Sequence, residues 1–343
     1  MTAHKVHLTS AMAREIAEIP TATKAFLLQS REVAAIAERI RNAERHFVVI
    51  CGRGSSGHVG VYLRYLFETR LGLLVSAAAP SVVTAYKRPS DMRHAIFIVI
   101  SQSGRSPDLI MATRLAREFG ALTIALVNEV QSPVAAESEL VLPVRAGPEH
   151  AVAATKTVAL SMVAGAQLIA ALTDDADLTR AIDRLPERFA AALGCDWSAW
   201  SERLRNAPAA FVTGRGYGLG PAREIALKLT EILQIPALGY SAAELRHGPR
   251  AAVTPATPVL VLRQNDEAAV TVDDLIRDLV EQNETVFAAG GPAGTLPWIG
   301  DDHPICDPIA MLLPAYIAIE RATRQRGLDP DKPRHLSKVT HTL

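Results

Sequence analysis

The chain has 343 residues, of which 49% are hydrophobic and 21% charged, so it can bury a large core and is long enough for two domains. Lysine plus arginine and aspartate plus glutamate number 36 each, which excludes a general electrostatic attraction to nucleic acid or to an anionic membrane. The three cysteines are too few for a disulfide framework and too scattered for a zinc knuckle, which favours a reducing, cytoplasmic location.

The first half of the chain alternates strand-like and helix-like patterns. Its polar beginning does not resemble a signal peptide, and we find no apolar run of the roughly 18 residues that span a bilayer. Residues 11–43 predict one or two amphipathic helices broken near Pro20. The alternation that follows is typical of a parallel sheet with helices on both faces. The predicted strands are 46–51, 73–78, 96–100, 122–128 and 139–144, and the predicted helices are 57–71, 107–119 and 154–172.

The clearest functional pattern lies at residues 95–106, where the apolar run AIFIVI leads directly into the polar loop SQSGRS. The run predicts a strand buried on both faces, and a helix follows the loop. A strand, a tight polar turn and a helix N-terminus form an anion cradle, because free N–H groups and the helix dipole favour negative charge there. We therefore predict a phosphate site, with an ordinary polar turn as the alternative. Its donors are Ser101, Gln102, Ser103 and Ser106.

The second half of the chain restarts the pattern of the first. The sequence FVTGRG at residues 211–216 echoes FVVICGRG at 47–54, and each is followed by a helical segment with a glutamate, Glu68 or Glu231. Further strands are predicted at 259–263 and 285–289, whereas residues 174–206 lack strands and predict a helical linker. An internal repeat of about 160 residues indicates a duplicated α/β domain.

Residues 52–57 read GRGSSG and fit the dinucleotide-binding pattern literally. That pattern also needs an acidic residue roughly 20 positions later to hold the ribose, and the second strand, LLVSAAAPS, has none. We therefore expect no nicotinamide cofactor, and we interpret the glycines as allowing close backbone approach to a ligand, with Ser55 and Ser56 as donors. No His, Cys or carboxylate pair has a convincing ligand spacing, so we also expect no metal and no other cofactor.

Together these motifs resemble the tandem sugar-isomerase (SIS) family, in particular the isomerase half of glutamine–fructose-6-phosphate aminotransferase and the glucosamine-6-phosphate deaminases built on the same half. The motifs that carry the resemblance are GSS, SQSG, AGPE, VAATK, ALKLTEI, ELRHGP and the tail DKPRHLSKVT, in the family's order. The resemblance implies an α/β fold of two tandem SIS domains, each a doubly wound parallel sheet between two helical layers. The expected segments are N-terminal helices 1–43, SIS domain 44–173, linker 174–206, SIS domain 207–325 and a closing tail 326–343.

The chemistry of such a site needs three kinds of group. A carboxylate suits proton transfer between C1 and C2 of an open-chain sugar, histidine suits ring opening, and lysine can form a Schiff base with a ketone. The resemblance assigns these roles to Glu231, His247 and Lys338, with Lys228 beside Glu231 on one helix face. It also implies a homodimer in which the histidine reaches the neighbouring subunit's site. The implied substrate-binding residues are Ser55, Ser56, Ser101, Gln102, Ser103, Ser106, Val152, Ala154 and Ser337.

Two departures from the aminotransferase pattern shape the expected reaction. We identify no glutaminase segment, and residue 2 is threonine rather than a cysteine nucleophile, so we expect net conversion of glucosamine 6-phosphate to fructose 6-phosphate and ammonia. Ala154 stands where the synthase pattern usually has a serine, which leaves the exact sugar open. The alternatives are a phosphosugar isomerase or fructosamine-phosphate deglycase of the same family, and a non-catalytic sugar-phosphate sensor.

Overall fold

The computed structural model describes residues 10–28 and 31–338 of the chain. These residues form two compact units, which we name by their sheets. The five-stranded unit comprises Thr21–Pro148 and Thr157–Asp183. The four-stranded unit comprises Glu149–Lys156, Arg184–Lys338 and the described residues up to Pro20.

The five-stranded unit contains strands β1 (Phe47–Cys51), β2 (Leu74–Ala77), β3 (Ala95–Ser101), β4 (Leu122–Val127) and β5 (Leu140–Pro143). The sheet is parallel, with the order β2-β1-β3-β4-β5. This doubly wound order leaves a crevice at the carboxyl ends of β1 and β3, where the chain changes direction across the sheet. Every residue of β3 is buried, as the apolar run predicts. The helices are α1 (Ala11–Leu27, which begins in the other unit), α2 (Arg31–Arg41), α3 (Ser55–Leu71), α4 (Pro80–Thr84), α5 (Pro107–Glu118), α6 (Pro133–Glu137), α7 (Lys156–Thr173) and α8 (Ala176–Asp183).

The four-stranded unit contains β6 (Ala210–Gly214), β7 (Ala237–Ser241), β8 (Val259–Leu262) and β9 (Val286–Ala289). Its sheet is also parallel and has the order β7-β6-β8-β9. This order corresponds to β2-β1-β3-β4 in the other sheet, which has one more strand. The predicted fold of two doubly wound α/β sheets is therefore confirmed. The helices are α9 (Leu185–Ala192), α10 (Ser198–Leu204), α11 (Leu219–Glu231), α12 (Ala242–Arg246), α13 (Ala269–Glu281) and α14 (Asp307–Gln325), with 3₁₀ turns at Gly216–Gly218 and Pro249–Ala252.

The prediction of a break near Pro20 is wrong, because α1 continues through the proline to Leu27. A proline inside a helix loses one hydrogen bond and crowds the preceding turn. Apolar side chains on both sides of it, including Ile16, Ile19 and Phe26, are almost completely buried. This burial stabilises the helical path enough to override the local preference for a break.

Helix α7 corrects a second expectation. It has 18 residues and is apolar enough, by length and composition alone, to cross a membrane. However, 83% of it is buried inside the protein, as is usual for a core helix.

Candidate active site

The predicted phosphate loop forms a tight turn at the carboxyl end of β3. The Ser101 hydroxyl accepts a hydrogen bond from the Gly104 N–H at 3.0 Å, and the Ser103 hydroxyl accepts one from the Arg105 N–H at 3.3 Å. Gly104 adopts a left-handed backbone (φ 62°), and a side chain there would collide with the Ser132 hydroxyl. The turn therefore needs glycine, and it gathers the serine hydroxyls just before the N-terminus of α5.

Ser106 occupies the N-cap position of α5, but its side chain makes no capping hydrogen bond. Its hydroxyl is thus not used to complete the helix. Gln102 and Ser103 are half-buried at the same turn, so three predicted donors lie together at the crevice. This arrangement fits an anion site better than an ordinary capped turn.

An ion pair that the sequence analysis did not use lies at the same crevice. Asp108, in the first turn of α5, is 1% exposed, and its carboxylate accepts hydrogen bonds from Arg53 at 3.0 Å and 2.9 Å. A buried carboxylate at this position would repel a phosphate, and the guanidinium offsets its charge. Arg53 also remains about half exposed, so it can face solvent and a ligand. The Gly-Arg-Gly sequence was the available signal for this residue.

Ser55 and Ser56 form the first turn of α3, directly after β1. The glycines before them have a local structural role. A side chain at Gly52 would place its Cβ 2.9 Å from the backbone of Ser56, and Gly54 has a left-handed backbone with φ 50°. The sharp turn from strand to helix therefore requires these glycines, and the close approach of a ligand stays a prediction.

The predicted catalytic glutamate and its neighbouring lysine lie in direct contact at the end of α11. The Lys228 ammonium is completely buried, contacts the Glu231 carboxylate and lies 3.3 Å from Glu224. Burial alone would lower the pKa of Lys228, but the two carboxylates outweigh it, so its pKa is raised above the ordinary lysine value. Lys228 is therefore a cation that forms an ion pair with Glu231. The Glu231 side chain remains 22% exposed.

Glu224 and Tyr316 extend this cluster and were missed by the sequence analysis. Glu224 is fully buried, and the Tyr316 hydroxyl donates to its carboxylate over a long 3.5 Å. Burial and the nearby Glu224 carboxylate raise the pKa of Tyr316 well above its usual range. The signal for Glu224 was its spacing of four residues from Lys228 on one helix face.

Lys338 is held against the loop at residues 149–156 within the four-stranded unit. Its ammonium donates to the Glu149 carboxylate at 3.1 Å and to the Ala151 carbonyl at 2.6 Å. Glu149 also accepts the Thr155 N–H at 3.1 Å, so one buried carboxylate links both ends of the loop to the tail. The predicted residues Val152 and Ala154 lie between these anchors and are half-buried.

The loop is also fixed from α1. The Glu15 carboxylate accepts the His150 and Ala151 N–H groups, and burial raises its pKa. Lys156, almost fully buried, pairs with Glu18 at 2.6 Å. Through Glu15 and Glu18, helix α1 therefore fixes the loop that Lys338 contacts.

His247 and Ser337 are exposed. The His247 N–H bonds the Glu244 carbonyl at the end of α12, and, within residues 10–28 and 31–338, no hydrogen bond or ion pair joins its side chain to Glu231. Two residues of the tail motif, Val339 and Thr340, lie outside the described residues. Within each unit the structure thus groups the phosphate-loop donors, the Lys228–Glu231 pair and the Lys338 contacts, but not His247 with Glu231.

Comparison with known proteins gives a consistent result. The chain is 32% identical over 338 residues to glutamine–fructose-6-phosphate aminotransferase [isomerizing] of Methanothermobacter thermautotrophicus, covering 95% of this chain and 56% of the relative. The same enzyme of Halobacterium salinarum is 34% identical over 324 residues, covering 88% of this chain and 52% of the relative. The chain therefore spans about half the length of the curated relatives it matches.

Solved structures share the fold. A candidate phosphosugar isomerase of Silicibacter pomeroyi superposes with a TM-score of 0.90 at 38% identity, covering 94% of this chain and 100% of that one. The glucosamine-6-phosphate deaminase of Thermotoga maritima superposes with a TM-score of 0.80 at 23% identity, covering 97% and 100%, which supports the fold alone. The SIS domain family model matches residues 40–171 and 203–288. With two matched segments and two parallel sheets that share the same order over four strands, this chain is a member of the SIS domain family.

Proposed function

We propose that this chain is an amino-sugar-phosphate deaminase that converts glucosamine 6-phosphate to fructose 6-phosphate and ammonia by an aldose–ketose proton transfer. The observation that carries the proposal is the Glu231 carboxylate, partly exposed and held by the fully buried Lys228 ammonium. A non-catalytic sensor needs the phosphate loop alone and gains nothing from a buried cation behind a solvent-facing carboxylate. The relatives named as isomerising enzymes of this sugar series support the same reaction class.

Glu231 takes the proton from C2 of the open-chain amino sugar and returns one to C1. The C1 aldehyde then becomes an alcohol and the C2 amine becomes an imine, because the C1 oxygen gains one proton and the nitrogen loses one. Water adds to that imine, and ammonia leaves to give the C2 ketone. Lys228 does not act as the Schiff-base amine in this scheme, because its raised pKa keeps it protonated between two carboxylates.

Lys338 has the more suitable position for contact with the sugar carbonyl, since its side chain is partly exposed. Its ammonium already bonds Glu149 and the Ala151 carbonyl, so we assign it an orienting role. A covalent role would require loss of these bonds and of a proton. The substrate phosphate is assigned to Ser101, Gln102, Ser103 and Ser106, with Ser55, Ser56 and Arg53 at the neighbouring loop.

We further propose that the active form is a homodimer in which His247 of one subunit opens the sugar ring in the other subunit's site. In support, His247 is exposed, and among the residues described no hydrogen bond or ion pair joins it to Lys228 or Glu231. Mixing inactive Glu231→Gln and His247→Ala subunits tests this directly. Shared sites would restore about a quarter of the wild-type activity per subunit at equal mixing, since statistical dimers then contain one intact site in half of the molecules. No recovery after verified subunit exchange would place the histidine in its own subunit's site.

The reaction is tested by adding glucosamine 6-phosphate to the purified chain and measuring ammonia and fructose 6-phosphate together. Equal amounts of both products, absent with unphosphorylated glucosamine, are expected. A plain phosphosugar isomerase is the second candidate, favoured by the 38% identical solved structure. It would interconvert an aldose and a ketose phosphate without ammonia, whereas a sensor would bind phosphosugars and turn over none.

A further inference from the structure

Two histidines and a glutamate form a cluster at the amino edge of the five-stranded sheet. His46 immediately precedes β1 and His94 immediately precedes β3, and the two strands are paired neighbours with Phe47 opposite Ala95. Glu44 lies two residues before His46. Because both strands run in the same direction, this edge is opposite to the one that carries the phosphate loop. The cluster is therefore separate from the candidate active site.

The geometry of the cluster brings three ligand atoms together. One carboxylate oxygen of Glu44 and one ring nitrogen of each histidine all lie within 4.8 Å of one another. The Glu44 carboxylate lies 3.5 Å from His46 Nε2 and 3.9 Å from His94 Nδ1. The two imidazole rings are stacked, with centroids 4.8 Å apart and an angle of 17° between their planes.

The backbone fixes the two histidines in this arrangement. The His46 N–H donates to the His94 carbonyl at 2.9 Å, which locks the two residues side by side. His94 has a left-handed backbone with φ 64°, a conformation that costs energy for any residue other than glycine. With this backbone conformation at His94, the chain enters β3 and the His94 imidazole stacks on that of His46.

We propose that Glu44, His46 and His94 bind a divalent transition-metal ion, with Zn²⁺ as the best match. Two imidazoles and a carboxylate suit Zn²⁺, Ni²⁺ or Cu²⁺ rather than Mg²⁺ or Ca²⁺, which prefer oxygen ligands alone. Bonds of about 2.0–2.1 Å to tetrahedral zinc require ligand atoms about 3.3 Å apart. The ligand atoms lie within 4.8 Å of one another, so binding requires the exposed side chains to rotate closer, with water in the remaining position.

The Glu44 carboxylate supplies the negative charge of the cluster itself. The Asp91 carboxylate interacts electrostatically with His94, which adds to the negative charge of Glu44, although Arg93 also pairs with Asp91. A bound ion would join the segment before β1 to the segment before β3. The sequence analysis expected no metal because it considered spacing along the chain, whereas the parallel pairing of β1 and β3 brings these ligands together.

The test titrates chelator-treated full-length chain with Zn²⁺ in competition with a chromogenic chelator. We expect one tight ion per chain and a melting temperature that rises with Zn²⁺. His46→Ala and His94→Asn should each weaken binding by about 10–100-fold and remove the thermal shift. Asparagine is chosen at residue 94 because it tolerates the left-handed backbone, so the fold is retained.

His150→Ala serves as the matched control, since His150 is also exposed but lies outside the cluster. It should bind Zn²⁺ as the wild type does. Equal binding by wild type, His46→Ala and His94→Asn would overturn the proposal and place the ion on other histidines. Failure of the wild type to bind would overturn it as well, and neither result bears on ammonia release.

Discussion

The loops that follow β3 and β8 occupy equivalent positions in the two repeats and have the same length, but they carry different side chains. Val99 on β3 pairs with Cys51, and Val261 on β8 pairs with Thr213, each just before the first glycine of a Gly-Arg-Gly turn. From these valines the chain reaches the next helix at corresponding positions, Pro107 in α5 and Ala269 in α13. The two loops therefore align without a gap, SQSGRS at residues 101–106 with RQNDEA at residues 263–268.

The side chains of the loop after β8 form hydrogen bonds with the loop itself and with the neighbouring Gly-Arg-Gly turn. Gln264 is 1% exposed, and its amide donates to the Arg215 carbonyl at 2.6 Å and to the Asp266 carboxylate at 2.8 Å. Asp266 also accepts the Ala268 N–H at 3.0 Å. The Asp266 carboxylate thus lies in the second loop, where the proposed phosphate site of the first loop has the glycine of its turn. Under the proposed function, the first repeat supplies the phosphate loop and the second supplies the catalytic glutamate.

The largest expected effect distinguishes two glutamates near the ends of α3 and α11, the corresponding helices of the two repeats. Glu231→Gln removes the base but keeps the shape, so turnover should fall by about 10²–10⁴-fold while phosphosugar binding persists. Glu68→Gln is the control, because Glu68 pairs with Arg64 at 3.0 Å and accepts the Val75 N–H at 3.3 Å, and glutamine keeps an oxygen that can accept both bonds. Steady-state ammonia release measures both variants. Full activity in Glu231→Gln would rule out this base.

A smaller effect distinguishes the two loops themselves. Ser103→Ala should weaken phosphosugar binding by about 1–3 kcal/mol, because a hydroxyl donor to a charged oxygen is lost. Asn265→Ala changes the aligned residue of the second loop and should leave the dissociation constant unchanged. Calorimetric titration with a phosphosugar compares them. Equal weakening by both variants would show that the second loop also contacts substrate.

The smallest effect concerns the internal carboxylate. Burial raises the pKa of Asp266, so the protonated form is favoured in the folded chain more than in the unfolded chain. The resulting stabilisation is complete below the ordinary aspartate pKa and is lost as the pH rises through the folded-state pKa. As the pH rises through the folded-state pKa of Asp266, the free energy of unfolding of the wild type should therefore decrease relative to that of the Asp266→Asn variant. Urea unfolding at several pH values measures it, and parallel curves would contradict the prediction.

Sequence reasoning predicted the sheet strands and the polar turn after β3 correctly because both are local patterns, whereas phosphate binding by that turn stays a prediction. The buried run of β3 and the polar turn after it are contiguous, so periodicity and turn chemistry identify them. The contact of Lys228 with Glu231 was also local, at three residues' spacing on α11. These features required no knowledge of tertiary contacts.

The features that sequence reasoning missed depend on residues far apart in the chain. Arg53 pairs with Asp108 because β1 and β3 are neighbours, and Lys338 meets Glu149 because the tail packs on a distant loop. The continuity of α1 through Pro20 likewise depends on tertiary burial rather than on local propensity. Such contacts follow from the topology, which a local pattern does not specify.

The fully buried lysine of α11 also constrains how this chain can change over generations. Lys228 lies between Glu224 and Glu231, and loss of the lysine leaves the fully buried Glu224 carboxylate without its cation, at a cost of about 3–5 kcal/mol. Substitution of Lys228 therefore threatens folding, whereas Glu231→Gln leaves the Lys228–Glu224 pair intact. A descendant that loses the lysine must also replace Glu224, so these two side chains should be inherited as one unit.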